Sequence, residues 1–282
     1  MKILFPTDYS PNACNAFEFA CYLAEKMNAE LTLLHVYPLP LIGGQVNFNP
    51  AQAEESNVKR LEQFVEDYKI HATVLPIDKV SMNYKAIDGD TVETIYNRAL
   101  DGNYDLVIMG TKGATSSADV NLGSVTSNVI KNIKTPVLAI PATAKYHEIE
   151  KIAMAEDFDS ADREPIKMVK DIVNLFDASL SVLHISEVKD NINNLRTKNY
   201  YTIKHQYVRD LNKVDFDVVH GDDKVLALDE FMEQEKVDLL VMVKRNNANE
   251  TKEKGLINEM ALHTAVPLLA FPDSFQSEIY SF

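Results

Sequence analysis

The chain has 282 residues, which suits two domains of roughly 100–200 residues each. Hydrophobic residues at 46% and charged residues at 25% are ordinary for a globular chain, and the formal net charge of −14 argues against a general binder of nucleic acid or anionic membrane. No run approaches the ~20 apolar residues of a membrane-spanning helix, and the opening MKILFPTDYS turns polar too soon for a secretory signal, so a cytoplasmic location is expected.

Along the first half, short apolar runs at 2–6, 30–36, 80–87, 105–110 and 136–140 are bounded by turn or charged residues. Runs this short, apolar on both faces, predict buried parallel strands. Between them lie helical patterns. Pro11 to Met27 places Ala13, Phe17, Ala20, Cys21 and Ala24 on one stripe, with Ser10 or Asn12 available as the N-cap. Cys14 and Cys21 share that helix and are expected as two buried free thiols, because seven residues separate them by about 10 Å along the axis. Pro38 to Pro50, with Gly43-Gly44, reads as loop. Helices follow over Ala53–Tyr68, Thr91–Leu100 (opened by Gly89-Asp90) and Gly123–Asn132.

The second half repeats the first. Lys2-Ile3 and Asp8-Tyr9 recur at an offset of 149 as Lys151-Ile152 and Asp157-Phe158, and Leu34-His35-Val36 recurs at the same offset as Leu183-His184-Ile185. Gly89-Asp90 returns as Gly221-Asp222, Asp105-Leu106 as Asp238-Leu239, and Pro136-Val137-Leu138-Ala139 as Pro267-Leu268-Leu269-Ala270. Five blocks in one order mark a tandem duplication, with domains at 1–145 and 146–282. Each is predicted to be a doubly wound five-stranded parallel α/β sheet. The copies differ most after their second strand, where copy two passes through the polar stretch 187–199 into a helix around Tyr201 to Leu211.

Glycine carries the strongest chemical signal. The chain has only nine, about 3% against roughly 7% in average usage, and seven precede residue 146. Three form one constellation after the fourth strand: Gly110-Thr111-Lys112-Gly113, nine residues, then Gly123-Ser124. Glycines let the backbone approach a ligand, and the helix opening at Gly123-Ser124 offers free N–H groups to phosphate oxygens. Lys112 is either a phosphate contact or a solvated lysine. The pattern is neither a Walker A loop nor the dinucleotide fingerprint.

Those residues, with Phe5-Pro6-Thr7-Asp8 on the first strand and Leu34-His35-Val36 closing the second, resemble the universal stress protein family in its ATP-binding branch. The resemblance runs over both copies. It implies sheets of strand order 3-2-1-4-5, of the adenine nucleotide alpha hydrolase-like type, paired through their fifth strands as a pseudo-dimer, with a further homodimer open. It also implies ATP, or AMP or ADP, at the C-terminal edge of the sheet, with Mg as a candidate companion ion. By position, Asp8 would contact the ribose beside Pro6 and Thr7, and the Val36 main chain would face the adenine. Gly110, Gly113, Gly123, Ser124 and Val125 would wrap the phosphates, with Met109 and Lys112 also counted among the nucleotide-binding residues. For Asp8 the alternative is a turn residue ahead of the first helix, and for Val36 plain strand burial.

Copy two departs from this pattern. Val243-Lys244-Arg245-Asn246 replaces Gly110 to Gly113, Lys254-Gly255 stands for Gly123-Ser124, and Glu156 and Asp159 replace Thr7 and Ser10. Residues 1–145 carry a net −4 and residues 146–282 a net −10, so an anionic ligand is expected in copy one only. The seven histidines show no zinc spacing, and His35 and His184 are expected to pack at equivalent strand ends. The resulting expectation is a non-enzymatic adenine-nucleotide-binding stress or regulatory protein with an unidentified protein partner. Alternatives are a nucleotide-independent interaction scaffold, or a slow ATP hydrolase or adenylyl transferase using Lys112 and a metal. No nucleophile with a visible base supports catalysis.

Overall fold

A computed structural model describes residues 1–38, 41–42, 45–46, 49–71, 75–111, 123–156, 163–186, 202–243 and 253–272. The chain divides into two units, Met1–Ala142 and Thr143–Phe282. In the first, the strands are β1 (Lys2–Pro6), β2 (Glu30–Tyr37), the short β3 (Leu41–Ile42) and β4 (Gln45–Val46), β5 (Met82–Asp88), β6 (Leu106–Gly110) and β7 (Val137–Ile140). Its helices are α1 (Pro11–Lys26), α2 (Pro50–His71), α3 (Thr91–Asp101) and α4 (Ser124–Asn132). The second unit has β8 (Lys151–Ala155), α5 (Arg163–Phe176), β9 (Ser179–Ser186), β10 (Val214–His220), α6 (Lys224–Glu235), β11 (Leu239–Val243), α7 (Glu253–His263) and β12 (Leu268–Phe271).

Each unit is a parallel sheet of five long strands. The first runs β5-β2-β1-β6-β7 and the second β10-β9-β8-β11-β12, both in the expected 3-2-1-4-5 order. Ile3, Leu4 and Phe5 of β1 and Val107 and Ile108 of β6 are wholly buried, as central parallel strands covered on both faces require. Helix α1 starts where the sequence places it: the Ser10 hydroxyl accepts the Ala13 N–H at 3.2 Å and Pro11 fills the first helical position. Its buried face is wider than the predicted stripe, because Asn12, Ala16, Phe19 and Leu23 join it. Helix α1 packs on β1, β2, β6 and β7 alike. Cys21 is buried; Cys14 is only half-buried, which corrects the expectation of two buried thiols, and both are free.

The duplication is visible in backbone detail. Asn28 and Asp177 take left-handed φ angles of 48° and 50° between the first helix and second strand of their units. Asn103 (49°) and Lys236 (53°) do the same ahead of the fourth strand. The Asp105 carboxylate accepts the Lys2 N–H at 2.6 Å, and that of Asp238 accepts the Lys151 N–H at 2.8 Å. Each aspartate thus ties the start of the fourth strand to the start of the first.

Two expected features differ. The 38–50 segment contains an antiparallel pair, β3 with β4, and α2 begins at Pro50 rather than Ala53. Asn49 supplies the start, its side chain accepting the Ala51 N–H at 3.1 Å. The helix expected around 201–211 is a single π-helical turn, Ile203–Tyr207. The Val208 N–H reaches back five residues to the Ile203 carbonyl at 3.2 Å, which buries both side chains.

Lys236 carries a side chain in a conformation that costs a non-glycine residue roughly 1–2 kcal/mol. Lys236→Gly is therefore expected to stabilise the chain by about 1 kcal/mol in urea unfolding. No gain would mean that the terminus of α6 relaxes differently.

Candidate functional site

The strand order reverses at β1. From β1 the chain crosses to β2 on one side, whereas α3 carries it from β5 past both strands to β6 on the other side. The C-terminal ends of β1 and β6 therefore open a crevice at a topological switch point, the usual ligand position in such sheets. Pro6, Thr7 and Asp8 end β1, and Met109 and Gly110 end β6. Val36 lies near the end of the adjoining β2, and Ser124 and Val125 open α4 behind Gly123. Lys112 and Gly113 lie outside the described residues, as do Lys244, Arg245 and Asn246.

Short-range bonds fix the β1 end. The Thr7 N–H donates to the Leu34 carbonyl at 2.9 Å, extending the β1–β2 ladder beyond the strand. The Thr7 hydroxyl accepts the Tyr9 N–H at 3.1 Å, and the Asp8 carboxylate accepts the Ser10 N–H at 3.0 Å. Asp8 is exposed while Thr7 is buried. The turn role weighed for Asp8 is thus real, and one carboxylate oxygen serves it.

His35 completes this end from β2. Its Nδ1 lies 2.9 Å from the Thr7 carbonyl oxygen. A carbonyl only accepts, so Nδ1 carries the proton. Burial holds the imidazole pKa below its ordinary 6.5, opposed by that backbone bond; Arg60 lowers it further and Asp8 raises it. His184 repeats the arrangement, with Nδ1 3.4 Å from the Glu156 carbonyl.

The β6 end is bound to α4. The Gly123 N–H donates to the Thr111 carbonyl at 2.7 Å, and the Thr126 hydroxyl donates to the Gly110 carbonyl at 2.8 Å. The intervening loop therefore leaves and returns at one point. Gly123 caps α4 and, as a glycine, offers no side chain to the first N–H groups of the helix. Met109 is 95% buried, so only its main chain can face a ligand. Gly110 has a role the sequence did not reveal: a Cβ there would lie 2.5 Å from the Asn12 amide nitrogen. A side chain at 110 would force Asn12 of α1 to shift. Asn12, a buried polar residue in the first turn of α1, was legible only as a possible cap, and exposed Arg60 gave no signal at all.

In the second unit Val243 stands at the Gly110 position, Glu156 is buried where Thr7 stands, and α7 opens on Glu253. Asp157 and Asp159 lie outside the described residues. Among the described residues no three His, Cys, Asp or Glu side chains group to hold a metal, and no helix is long and apolar enough to cross a membrane.

A doubly wound α/β domain with a glycine-opened helix at its switch point defines a class of phosphate-ligand folds. The universal stress protein family model matches residues 1–141, and the chain belongs to that family. A universal stress protein of Methanocaldococcus jannaschii is 31% identical over 151 residues, 49% of this chain and 93% of the relative. A second from that organism is 29% identical over 154 residues, 51% of this chain and 84% of the relative. The solved structure of a universal stress protein from Archaeoglobus fulgidus covers 97% of this chain and 98% of its own, with a TM-score of 0.70 at 18% identity, a likeness of fold spanning both units.

Two outcomes follow from this geometry. Gly110→Ala forces its methyl group into the Asn12 side chain and is expected to destabilise the chain by roughly 1–3 kcal/mol in urea unfolding, while Gly110→Ala with Asn12→Ala recovers most of that loss. For His35, the unfolded imidazole binds its proton near 6.5 and the folded one only at lower pH. Its contribution is present above about 6.5 and is lost as pH falls through the folded value. Wild type should therefore lose more stability between pH 7.5 and 5.5 than His35→Gln does; equal losses would show a normally titrating ring.

Proposed function

We propose that the first unit binds an adenine nucleotide, ATP in the first instance, as a regulatory ligand, and that the second unit does not. The observation that carries this reading is the start of α4. Its N-cap is a glycine with no capping side chain, and the helix start is held against the β6 end through Gly123–Thr111 and Thr126–Gly110. Such a terminus concentrates donors and a partial positive charge where phosphate oxygens need them. On this reading Gly110, Gly123, Ser124 and Val125 surround the phosphates through main chain and hydroxyl, with Met109 contributing main chain only. Lys112 and Gly113 complete the loop. Asp8, beside Pro6 and Thr7, takes the ribose hydroxyls, and the Val36 main chain faces the base.

The second unit supports the contrast. A buried carboxylate at Glu156 and a valine at 243 oppose a phosphate tail by charge and bulk. A divalent ion accompanying the nucleotide would draw its ligands mainly from phosphate and water, because the described residues offer no cluster for it. The role proposed is binding that alters the protein's partners.

Calorimetric titration tests this directly. Wild type is expected to bind one ATP per chain. Ser124→Glu, which leaves the helix dipole satisfied but repels phosphate, should weaken binding by at least about tenfold, or ~1.4 kcal/mol. Glu156→Thr should leave the stoichiometry at one. Two sites per chain, or an unaffected Ser124→Glu variant, would overturn the assignment. Phosphate release above a buffer blank would make the protein an enzyme.

A further inference from the structure

Beside Asp8 sits a backbone conformation that a tyrosine adopts only under constraint. Tyr9 has a φ of 62°, in the left-handed region that costs a non-glycine residue roughly 1–2 kcal/mol. Several contacts hold it there. Its N–H donates to the Thr7 hydroxyl at 3.1 Å. Its ring lies 4.7 Å from the His35 ring and meets the Phe64 ring edge-on at 5.6 Å. The Arg60 guanidinium carbon stands 4.1 Å above the ring centroid, a cation–π contact from α2. Phe64 is itself set among Phe17 at 5.1 Å and Tyr68 at 5.2 Å, so the clamp rests on the packing of α1 against α2. The phenol oxygen is buried and has no hydrogen-bond partner among the described residues. Among the described residues, the side-chain contacts on Tyr9 are all made by its ring.

Asp8 lies between two fixed neighbours. Thr7 is held by Leu34 and His35 through its main chain, and Tyr9 is held by its ring. With both flanking peptides set, the remaining freedom of the Asp8 side chain is restrained by the bond from the Ser10 N–H at 3.0 Å. One carboxylate oxygen is occupied by the turn, and the exposed group still has acceptor capacity for ligand hydroxyls.

We propose that Tyr9, clamped by His35, Phe64 and Arg60, is a positioning residue that aims the Asp8 carboxylate and so makes the site select a sugar with a free vicinal diol over a deoxy sugar. The inference rests on the reading of Asp8 as the ribose contact. Its physical basis is that a fixed, charged acceptor discriminates strongly against a ligand lacking the matching hydroxyls, whereas a mobile one turns to water instead. Arg60 and Phe64 are the contribution of α2 to this clamp, and both meet the Tyr9 ring.

Two measurements on the full chain test this. The first compares calorimetric affinities for ATP and 2′,3′-dideoxy-ATP in wild type, Tyr9→Phe, Tyr9→Ala and Arg60→Ala. Wild type and Tyr9→Phe should prefer ATP by at least about tenfold. In Tyr9→Ala the preference should fall below about threefold, and in Arg60→Ala it should be intermediate, while affinity for the dideoxy analogue stays within about twofold of wild type. A full preference retained in Tyr9→Ala, or equal loss of both nucleotides, overturns the positioning role. The second follows exchange of the Ser10 amide hydrogen without nucleotide. It should accelerate in Tyr9→Ala and not in Tyr9→Phe, and unchanged exchange in Tyr9→Ala overturns the proposal. A wild type that binds neither nucleotide sinks the ribose reading and the selectivity with it, while the Ser10 exchange separately decides whether Tyr9 holds Asp8.

Discussion

The clamp on the residue after the first strand is the constraint on which the rest of the site hangs. A main-chain bond to Leu34 and an imidazole N–H from His35 hold Thr7 from the same neighbouring strand, and Leu183 and His184 hold Glu156 in the same way. Strand ends ordinarily fray into turns. Here the ladder is prolonged by one residue and then locked by a side chain, so that the following turn and the N-cap of α1 leave from a fixed point. Asp8, Tyr9 and Ser10 inherit their geometry from that lock, and α1 carries Asn12 from there to its contact with Gly110.

The two units show which parts of such a domain are scaffold and which are site. The left-handed residues, the aspartates that join first and fourth strands, and the histidine clamp recur in both. The side chains facing the switch point do not: threonine becomes a buried glutamate, and glycine becomes valine. A fold of this kind tolerates such changes because the bonds that hold the strand end run through main-chain atoms. The identity of the residue at the tip is then free to change the chemistry without changing the backbone.

Much of this was legible in the sequence. Parallel strands buried on both faces leave short apolar runs, and Ser10-Pro11 and Asp90 announce helix starts, so those elements begin within a residue or two of their predicted places. What stayed hidden was non-local. Gly110 reads as a ligand-approach glycine, yet its close neighbour in the fold is Asn12, almost a hundred residues earlier. Arg60 meets Tyr9 across a helix–strand gap that no periodicity encodes. The π-helical turn at Ile203–Tyr207 escaped because apolar spacing marks a helix without distinguishing a five-residue hydrogen-bonded turn from the regular ladder.

The glycine that opens α4 has a further consequence for how an anion would arrive. Compared with serine or aspartate, glycine at an N-cap costs a helix only a few tenths of a kcal/mol. The fold thus gives up little by omitting the hydroxyl or carboxylate that would otherwise occupy those N–H groups. It also removes an internal competitor. A serine or aspartate at position 123 would have to be displaced before a phosphate could bind, and an aspartate would repel it as well. With glycine at 123 the N-cap residue itself brings no such competitor to the start of α4.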